Sequence, residues 1–251
     1  MSHFKLTNKL IIVTGASSGI GQACAIMCSK YGANVIATGR NQDRLNETLS
    51  SLEGTGHGTI SLDLNSFDQY PKIITRIVEE HGKIDGVIHS AGVESTIPVQ
   101  LLSEAKMSDV LKINSFSFFE LVKVINKKKL SSPGISFVGI ASVMGVTAQK
   151  GKTIYCASKA ALINGAKAMA LELAAKGTRI NTVAPAIVET SMVKALFSQM
   201  NEESVLEIKK MHPLGFGNTD DVALACIYLL SDASKWVTGS NLVIDGGYTA
   251  H

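Results

Sequence analysis

The segment Leu10–Tyr31, LIIVTGASSGIGQACAIMCSKY, determines the architecture of this chain. Leu10–Val13 is a short apolar and mostly β-branched run, which is typical of a strand buried on both faces. Thr14–Gly21 is a glycine-rich turn, and Gln22–Tyr31 has the composition of a helix. A strand that enters a helix through such a turn is the sequence context of a dinucleotide-binding site. The segment therefore predicts an α/β fold with a nucleotide at the end of its first strand.

The three glycines of this turn have separate roles. Gly15 permits a tight bend, Gly19 lets the backbone approach a pyrophosphate, and Gly21 allows the helix to pack closely on the strand. Unpaired N–H groups at the start of the helix would then face the phosphates. The alternative is a glycine-rich loop without a ligand. The residues predicted to contact the dinucleotide here are Gly15, Ser17, Ser18, Gly19, Ile20 and Gly21.

The next predicted strand, Asn34–Thr38, ends at Gly39 and Arg40. In NAD-binding proteins an acidic residue about 20 residues beyond the glycines binds the ribose 2′-hydroxyl. No acid is present here; Gly39 leaves space, and the forked cation of Arg40 suits a phosphate. An arginine at a strand end is otherwise simply solvated. The pair favours NADP(H) over NAD(H) as the cofactor, and a preference for NAD alone would contradict this interpretation.

Apolar runs typical of strands alternate with helical stretches along all 251 residues. The predicted strands are at 10–14, 34–38, 58–62, 86–90, 134–140, 179–184 and 241–244. This alternation predicts a parallel, doubly wound sheet with helices on both faces. No linker, repeat or low-complexity tract divides the chain, so we expect one domain over residues 1–251.

Composition excludes several classes of protein. A net charge of +3 without a basic tail does not favour nucleic-acid binding, and the one charge run, Lys127–Lys129, is expected at the solvated end of a helix. No apolar stretch reaches about 18 residues, so no membrane span is expected. Cys24 and Cys28 are expected to pack in the core, and the four cysteines match no metal or disulfide spacing. We expect a cytoplasmic protein without a metal.

Tyr155 and Lys159 lie four residues apart in a helical stretch that follows Ser142. The phenol and the ammonium therefore share one helix face. The unperturbed pKa of tyrosine is about 10, and a cation close by would lower it by roughly 1–3 units. The Ser142 hydroxyl, at the end of an apolar run, would hold a substrate oxygen at the same point. These residues indicate a proton-transfer site for a carbonyl or an alcohol; a half-buried tyrosine beside a solvated lysine is the alternative.

Four polar residues follow the glycine turn in order along the chain, namely Asn114, Ser142, Tyr155 and Lys159. With them the chain, from residue 9 to residue 248, resembles the short-chain dehydrogenase/reductase family. The resemblance implies a single Rossmann-type domain with strand order 3-2-1-4-5-6-7. It also implies that the four residues form a catalytic tetrad, in which Asn114 holds a water that connects Lys159 to solvent.

The resemblance also implies further cofactor contacts beside an adenine, after the fourth strand and around the nicotinamide carboxamide. In that order, the residues are Asp63 and Leu64; Ser90, Ala91 and Gly92; and Pro185, Val188 and Thr190. Tyr155 and Lys159 would contact the cofactor as well.

Two positions depart from the family pattern. His89-Ser90 occupies the place of two asparagines, and Ala186 occupies that of a glycine. The shorter Ser90 side chain puts local rigidity in doubt, and Ala186 would be strained if its position needed a positive φ. His89 is expected to be structural, with a catalytic base as the alternative.

The expected reaction is hydride transfer between a nicotinamide and a carbonyl carbon, with the hydride chemistry carried by the cofactor. In the reductive direction Ser142 donates a hydrogen bond to the carbonyl oxygen, and Tyr155 gives up its proton as general acid. Lys159 would lower the pKa of the tyrosine and, by the resemblance, hold the ribose hydroxyls. The expected function is NADP(H)-dependent reduction of a carbonyl to an alcohol.

Within the family, residues 183–192 and 237–248 resemble the 3-oxoacyl-[acyl-carrier-protein] reductases of fatty-acid biosynthesis. In that subfamily basic residues near the active-site mouth receive the acidic carrier protein, and Lys176 and Lys127–Lys129 are the candidates here. Residues 191–212 carry apolar side chains at helical spacing, which usually indicates packing in a core. By the resemblance, they are expected to form a mobile lid over the substrate. Relatives with the same pattern reduce sugars, quinones or steroids, which remain alternatives.

The helix that begins near Tyr155 carries small or apolar side chains nearly all round, over residues 157–173. One sheet covers only one side of a helix, so we expect a partner subunit on the other side. By the resemblance, the assembly is a homotetramer. Two functions compete with the expected one: a nucleotide-binding regulator that has lost catalysis, and an alcohol dehydrogenase that uses NAD.

Overall fold

The computed structural model describes residues 2–198 and 200–250. Its strands are β1 Leu10–Thr14, β2 Asn34–Gly39, β3 Gly58–Ser61, β4 Ile84–His89, β5 Ser131–Ile140, β6 Arg179–Pro185 and β7 Asn241–Ile244. They form one parallel sheet in the order β3-β2-β1-β4-β5-β6-β7, which confirms the predicted fold class and strand order.

Helices cover both faces of this sheet. They are α1 Gly19–Lys30, α2 Gln42–Ser50, α3 Tyr70–His81, α4 Glu104–Leu111, α5 Ser117–Ile125, α6 Thr153–Leu173, α7 Ser191–Phe197, α8 Glu202–Lys210 and α9 Thr219–Leu230. Successive strand residues point to opposite faces. Ile11 and Val13 of β1 therefore pack in one core with α1, α2 and α9. Leu10 and Ile12 pack in the other core with α3, α5 and α6.

The direction of winding reverses at β1, which pairs with β2 on one side and with β4 on the other. Its last residue, Thr14, pairs with Thr38 of β2 and with His89 of β4. The loops that follow these three strands therefore leave the sheet side by side. In open α/β sheets, ligands bind in the crevice at such a point.

The helical segment around Asn114 is interrupted. Between α4 and α5, Lys112–Phe116 forms a π-helical turn, in which the N–H of Ser117 donates to the carbonyl oxygen of Lys112. A π turn widens the helix by one residue and often marks a functional site. The spacing of apolar residues in the sequence carries no signal for one wider turn, so this interruption is not predictable from it.

Two further segments named from the sequence are the lysine run and the expected lid. Lys127–Lys129 is exposed in the turn that follows α5. The expected lid, residues 191–212, contains α7 and α8, and Gln199 of that range lies outside the described residues. None of the described helices is both long and apolar enough to cross a membrane.

Candidate active site

The glycine turn after β1 leaves no room for side chains. Gly15 has a φ of +67°, and a Cβ atom at this position would lie 2.8 Å from both the N and the Cα of Ala91. A Cβ atom at Gly21 would lie 2.2 Å from the carbonyl oxygen of Gly15. The turn therefore brings backbone against backbone, and only glycine fits at either position.

The start of α1 offers N–H groups to an anion. The first N–H groups of a helix have no intrahelical acceptor, and the helix dipole adds partial positive charge there. Ser18 is the N-cap residue, yet its side chain makes no capping hydrogen bond, and the first turn contains no acid. The segment Ser17–Gly21 therefore surrounds a position that fits a pyrophosphate.

The end of β2 lies beside the same turn. A Cβ atom at Gly39 would lie 3.4 Å from Oγ of Ser17. Arg40 follows at the surface, and none of the described residues bonds to its guanidinium group. The N–H of Leu62 donates to the carbonyl oxygen of Gly39 at 2.9 Å, which brings residues 63–64 to the same edge of the sheet. The predicted adenosine contacts are thus gathered in one place.

The segment after β6 closes the opposite side of the turn. A Cβ atom at Gly19 would lie 3.4 Å from Cγ2 of Thr190. An isolated β-bridge between Val188 and Gly217 holds the chain just before that threonine. The predicted nicotinamide contacts therefore reach the helix start from the β6 side.

The two departures from the family pattern cause no visible strain. Ala186 follows Pro185 at the end of β6, and its N–H donates to the carbonyl oxygen of Ile244 at 3.1 Å. In the described part of the chain, Asn8 is the one non-glycine residue with a positive φ, so Ala186 has an ordinary backbone. The Ser90 side chain makes no hydrogen bond to a described residue.

The loop after β4 joins the glycine turn to the predicted tetrad. The N–H of Ala91 donates to Oγ1 of Thr14 at 3.3 Å. A Cβ atom at Gly92 would lie 3.2 Å from Oδ1 of Asn114 and 3.4 Å from Nζ of Lys159. One short loop therefore connects the glycine turn to Asn114 and Lys159.

Tyr155 and Lys159 share one face of the first turns of α6. Nζ of Lys159 lies 5.8 Å from the centroid of the Tyr155 ring. Lys159 is only 5% exposed, and its Nζ donates to the carbonyl oxygen of Ile140 at 2.8 Å. Burial lowers the pKa of Lys159 to about 8. The end of β5 thus holds the lysine next to the phenol in a place where water does little to stabilise its charge.

Ser142 faces the same point from the loop after β5. It is the N-cap of a 3-10 turn, Val143–Gly145. Its Oγ accepts a hydrogen bond from the N–H of Met144 at 3.2 Å, which leaves the hydroxyl proton available to an acceptor. The Ser142 hydroxyl is also near enough to the phenol of Tyr155 to affect the pKa of that group. The structure therefore brings two hydroxyl groups and one ammonium group together.

The pKa of Tyr155 differs from the expectation. Burial raises it above its ordinary value, the nearby Ser142 hydroxyl opposes the rise, and the negative charge of Glu94 adds to it. The sequence predicted that Lys159 lowers this pKa. In the structure Lys159 is not among the causes of the shift, and burial of the phenol decides its direction. Tyr155 is therefore protonated near neutral pH, as a general acid must be.

Asn114, in the π turn, ties the loop after β4 to α6. Its Oδ1 accepts from the N–H of Val93 at 2.8 Å. Its Nδ2 donates to the carbonyl oxygen of Val93 at 3.0 Å and to Oγ of Ser158 at 2.9 Å. Both amide protons are engaged, so the side chain acts as a brace between two segments of the site.

His89 is buried and neutral. Its Nε2 lies 2.7 Å from Oγ of Ser117. The Ser117 hydroxyl donates its only proton to the carbonyl oxygen of Ile113 at 2.6 Å, which assigns the ring proton to Nε2. Burial, together with the charge of Lys159, lowers the pKa of His89 to about 3. This environment favours a structural role over that of a catalytic base.

Two charged residues beside Tyr155 were not predicted from the sequence. Lys152 forms an ion pair with Glu94, and Nζ of Lys152 lies 5.7 Å from the centroid of the Tyr155 ring. Thr96 Oγ1 donates to the same carboxylate at 2.7 Å. Glu94 comes two residues after Gly92, in the loop that follows the carboxyl end of β4. Its place beside β1, where the direction of winding of the sheet reverses, is the one sequence signal that indicates a role for Glu94.

The lysines considered for a carrier protein lie far from this site. Lys176 follows the C-terminal end of α6, whereas Tyr155 lies in its first turn. At 1.5 Å per residue, the two are about 30 Å apart along the helix. Lys127–Lys129 precedes β5, whereas Ser142 follows that strand. Neither set borders the mouth of the site within one chain, contrary to the expectation.

Comparisons with known proteins agree with this geometry. A family model described as enoyl-(acyl carrier protein) reductase matches residues 15–249. The 3-oxoacyl-[acyl-carrier-protein] reductase FabG of Thermotoga maritima is 32% identical over 247 residues, 97% of this chain and 98% of the relative. An NAD-dependent glycerol dehydrogenase of Listeria innocua is 32% identical over 248 residues, 98% of this chain and 96% of the relative.

A solved structure extends the likeness to three dimensions. A protein from Beutenbergia cavernae, assigned as an NAD(P) dependent gluconate 5-dehydrogenase, carries NADP at low occupancy. It superimposes with a TM-score of 0.91 and 29% identity over 99% of both chains. This chain belongs to the short-chain dehydrogenase/reductase family of oxidoreductases.

Proposed function

We propose that this protein uses NADP(H) to reduce a carbonyl group to an alcohol, with Tyr155 as general acid. The observation that carries the proposal is the convergence of Tyr155, Ser142 and Lys159 one loop away from the glycine turn. A buried proton donor, a second hydroxyl and an ammonium group at one point suit a carbonyl oxygen on which negative charge develops.

The residues around the glycine turn fit NADP(H). Gly15 and Gly21 form a cradle that any side chain would fill. Arg40 presents a guanidinium group without a described partner where a 2′-phosphate would lie, and Gly39 leaves space for it. When bound, the nicotinamide supplies the hydride. The NADP in the Beutenbergia cavernae structure supports this choice, whereas the NAD dependence of the Listeria innocua relative supports the alternative.

The protein's own side chains would handle the oxygen and its proton. Ser142, held by the N–H of Met144, donates its hydroxyl hydrogen bond to the carbonyl oxygen. Tyr155 then transfers its phenolic proton to the same oxygen as negative charge grows there. Lys159 stabilises the resulting phenolate, and Asn114 keeps the surrounding segments in place. These donors act most strongly on the charged transition state, which is where catalysis requires them.

Two substrate classes have support. The Thermotoga maritima relative and the likeness of residues 183–192 favour a 3-oxoacyl thioester, bound to an acyl carrier protein. The glycerol and gluconate dehydrogenases favour a hydroxylated carbonyl compound, and so does the carboxylate of Glu94 beside Tyr155. Lys176 at the far end of α6 gives no support for carrier docking at the site of the same chain.

An NADPH-oxidation assay tests the proposal. The substrates are an acetoacetyl thioester, 2-pentanone, L-erythrulose and a quinone, each with NADPH and with NADH. We expect oxidation of NADPH with at least one of them. Tight NADPH binding without any turnover would instead support the nucleotide-binding regulator, and turnover with NADH alone would contradict the cofactor assignment.

A further inference from the structure

Two loops form one rim of the site next to Tyr155. The loop after β4 and the loop before α6 are joined by a hydrogen bond from the N–H of Ile97 to the carbonyl oxygen of Gly151, at 2.7 Å. A Cβ atom at Gly151 would lie 3.3 Å from Cγ2 of Thr96. Because this bond ties the two backbones together, the rim lies beside the helix that carries Tyr155.

The rim carries a carboxylate that is only partly used. Lys152 Nζ and Thr96 Oγ1 both bond to Oε1 of Glu94. Oε2 of Glu94 has no hydrogen-bond partner among residues 2–198 and 200–250. The Glu94 side chain is 42% exposed and that of Lys152 only 18%, so the carboxylate is the half of the pair that is open to a ligand.

This carboxylate is close enough to Tyr155 to act on it electrostatically. Its negative charge contributes to the rise in the pKa of the phenol. Lys152, which holds Glu94, lies 5.7 Å from the centroid of the Tyr155 ring. The Glu94–Lys152 pair therefore lies next to the phenol that a substrate carbonyl would meet.

We propose that Glu94 determines substrate specificity, with its Oε2 accepting a hydrogen bond from a hydroxyl group on the carbon chain of the substrate. The preferred substrates are then hydroxylated ketones and the corresponding polyols. The inference rests on the proposed carbonyl reduction and narrows its substrate class.

The chemistry of a carboxylate supports this class. An ionised carboxylate only accepts hydrogen bonds, so its ligand must bring a donor. The acyl portion of a 3-oxoacyl thioester offers carbonyl oxygens and methylene groups, neither of which donates a hydrogen bond. A methylene group placed against Oε2 of Glu94 would remove its water without replacing the bond, and that is unfavourable. A hydroxyl group replaces the water directly.

The test compares substrates that differ at one group. In 4-hydroxy-2-butanone a hydroxyl replaces the terminal methyl group of 2-pentanone, so their ratio of kcat/KM measures recognition of the hydroxyl. We expect the ratio to exceed about tenfold in the wild-type enzyme and to approach one in Glu94→Leu, with Glu94→Gln between them. The change should lie mainly in KM. A general effect of the lost charge on Tyr155 cancels, since it acts on both ketones.

Controls and a binding measurement separate the alternatives. Lys150→Gln, an exposed neighbour on the rim, and Glu53→Gln, remote from it, should keep the wild-type ratio. Erythritol, with NADP+ present, should raise the Tm of the wild-type protein and not that of Glu94→Leu. The inference alone would be overturned if the wild-type enzyme turned over the ketones and the ratio were unchanged in Glu94→Leu. It would also be overturned if the wild-type enzyme used 2-pentanone or an acetoacetyl thioester as well as it used 4-hydroxy-2-butanone. Failure of every carbonyl with the wild-type enzyme would overturn the proposed function itself.

Discussion

The backbone of Ala91 occupies the space in which a side chain at Gly15 would stand. A Cβ atom at Gly15 would lie 2.8 Å from Cα of Ala91, closer than such atoms approach in proteins. Gly15 begins the turn after β1, and Ala91 lies in the loop after β4. The contact therefore sets the spacing between the glycine turn, where we propose that a pyrophosphate binds, and the loop that carries Gly92 toward Asn114 and Lys159.

Replacement of Gly15 by alanine should separate these two loops. We expect Gly15→Ala to raise the Kd for NADPH at least tenfold, because the methyl group must push the turn or Ala91 away. Gly134→Ala is the matched control, since Gly134 also has a positive φ (+78°) but faces open space. Both variants carry a backbone penalty of about 1–2 kcal/mol. Fluorescence titration with NADPH distinguishes them; equal affinity in the two would show that the close approach has no role.

Arg40 should decide between the two nicotinamide cofactors. Loss of a charge-assisted hydrogen bond costs about 1.5–3 kcal/mol, so Arg40→Ala should weaken NADPH binding by roughly 10- to 100-fold. The affinity for NADH should change little. Arg44→Ala removes an exposed guanidinium from the first turn of α2 and serves as the control. If titrations show that Arg40→Ala weakens the binding of NADPH and NADH equally, the guanidinium does not contact a 2′-phosphate.

The strands were predictable from the sequence because buried parallel strands are continuous apolar runs. β1 and β2 follow this rule closely. The starts of β4 and β5 were not predicted, because Asp85 and the segment Ser131–Gly134 consist of residues that are polar or uncommon in strands. The structure explains both. Asp85 accepts the N–H of Leu10 at 2.8 Å, and Ser131 pairs with Ile84 across an irregularity in the ladder.

The site was predictable where its geometry is local. Tyr155 and Lys159 are one helical turn apart, so their common face follows from the sequence. The ion pair of Glu94 and Lys152 joins residues 58 positions apart, and no local pattern announces it. The direction of the pKa of Tyr155 also depends on burial by the whole fold, which a motif does not contain.

Tyr155 should be required for turnover and not for cofactor binding. Tyr155→Phe removes the proton donor and keeps the ring, so kcat should fall by a factor of about 100 to 10,000. The Kd for NADPH should stay within about threefold of the wild-type value. Tyr31→Phe, at the end of α1, is the control and should keep full activity. Retention of more than a few per cent of activity in Tyr155→Phe, in the NADPH-oxidation assay, would refute the role of the phenol.

Lys159 should make the protein more stable as the pH rises from about 8 to about 10. Its folded-state pKa is about 8, whereas a lysine in the unfolded chain titrates near 10.4. Between these values the unfolded state binds the proton and the folded state does not, so the free energy of unfolding increases with pH. From pH 7.5 to 9.5 this gain is about 1–2 kcal/mol, and it is lost again as the pH falls.

The variant Lys159→Met should lack that gain. Urea unfolding at pH 7.5 and 9.5 measures it in both proteins, and other titrating groups cancel in the comparison. An equal change with pH in the two proteins would mean that the Lys159 ammonium is better solvated than its surroundings indicate.

The exposed side of α6 should be covered by a second subunit. Leu162 and Ala166 face the core, whereas Leu171 on the same helix is 83% exposed. Because Leu171 is not buried within one subunit, Leu171→Glu should leave the Tm of an isolated subunit nearly unchanged. If α6 lies in an interface, the same change places a charge there without a partner and shifts the elution volume toward the monomer. Leu206→Glu, exposed on α8, is the control and should elute with the wild-type protein. A wild-type protein that already elutes as a monomer at micromolar concentration would count against the assembly.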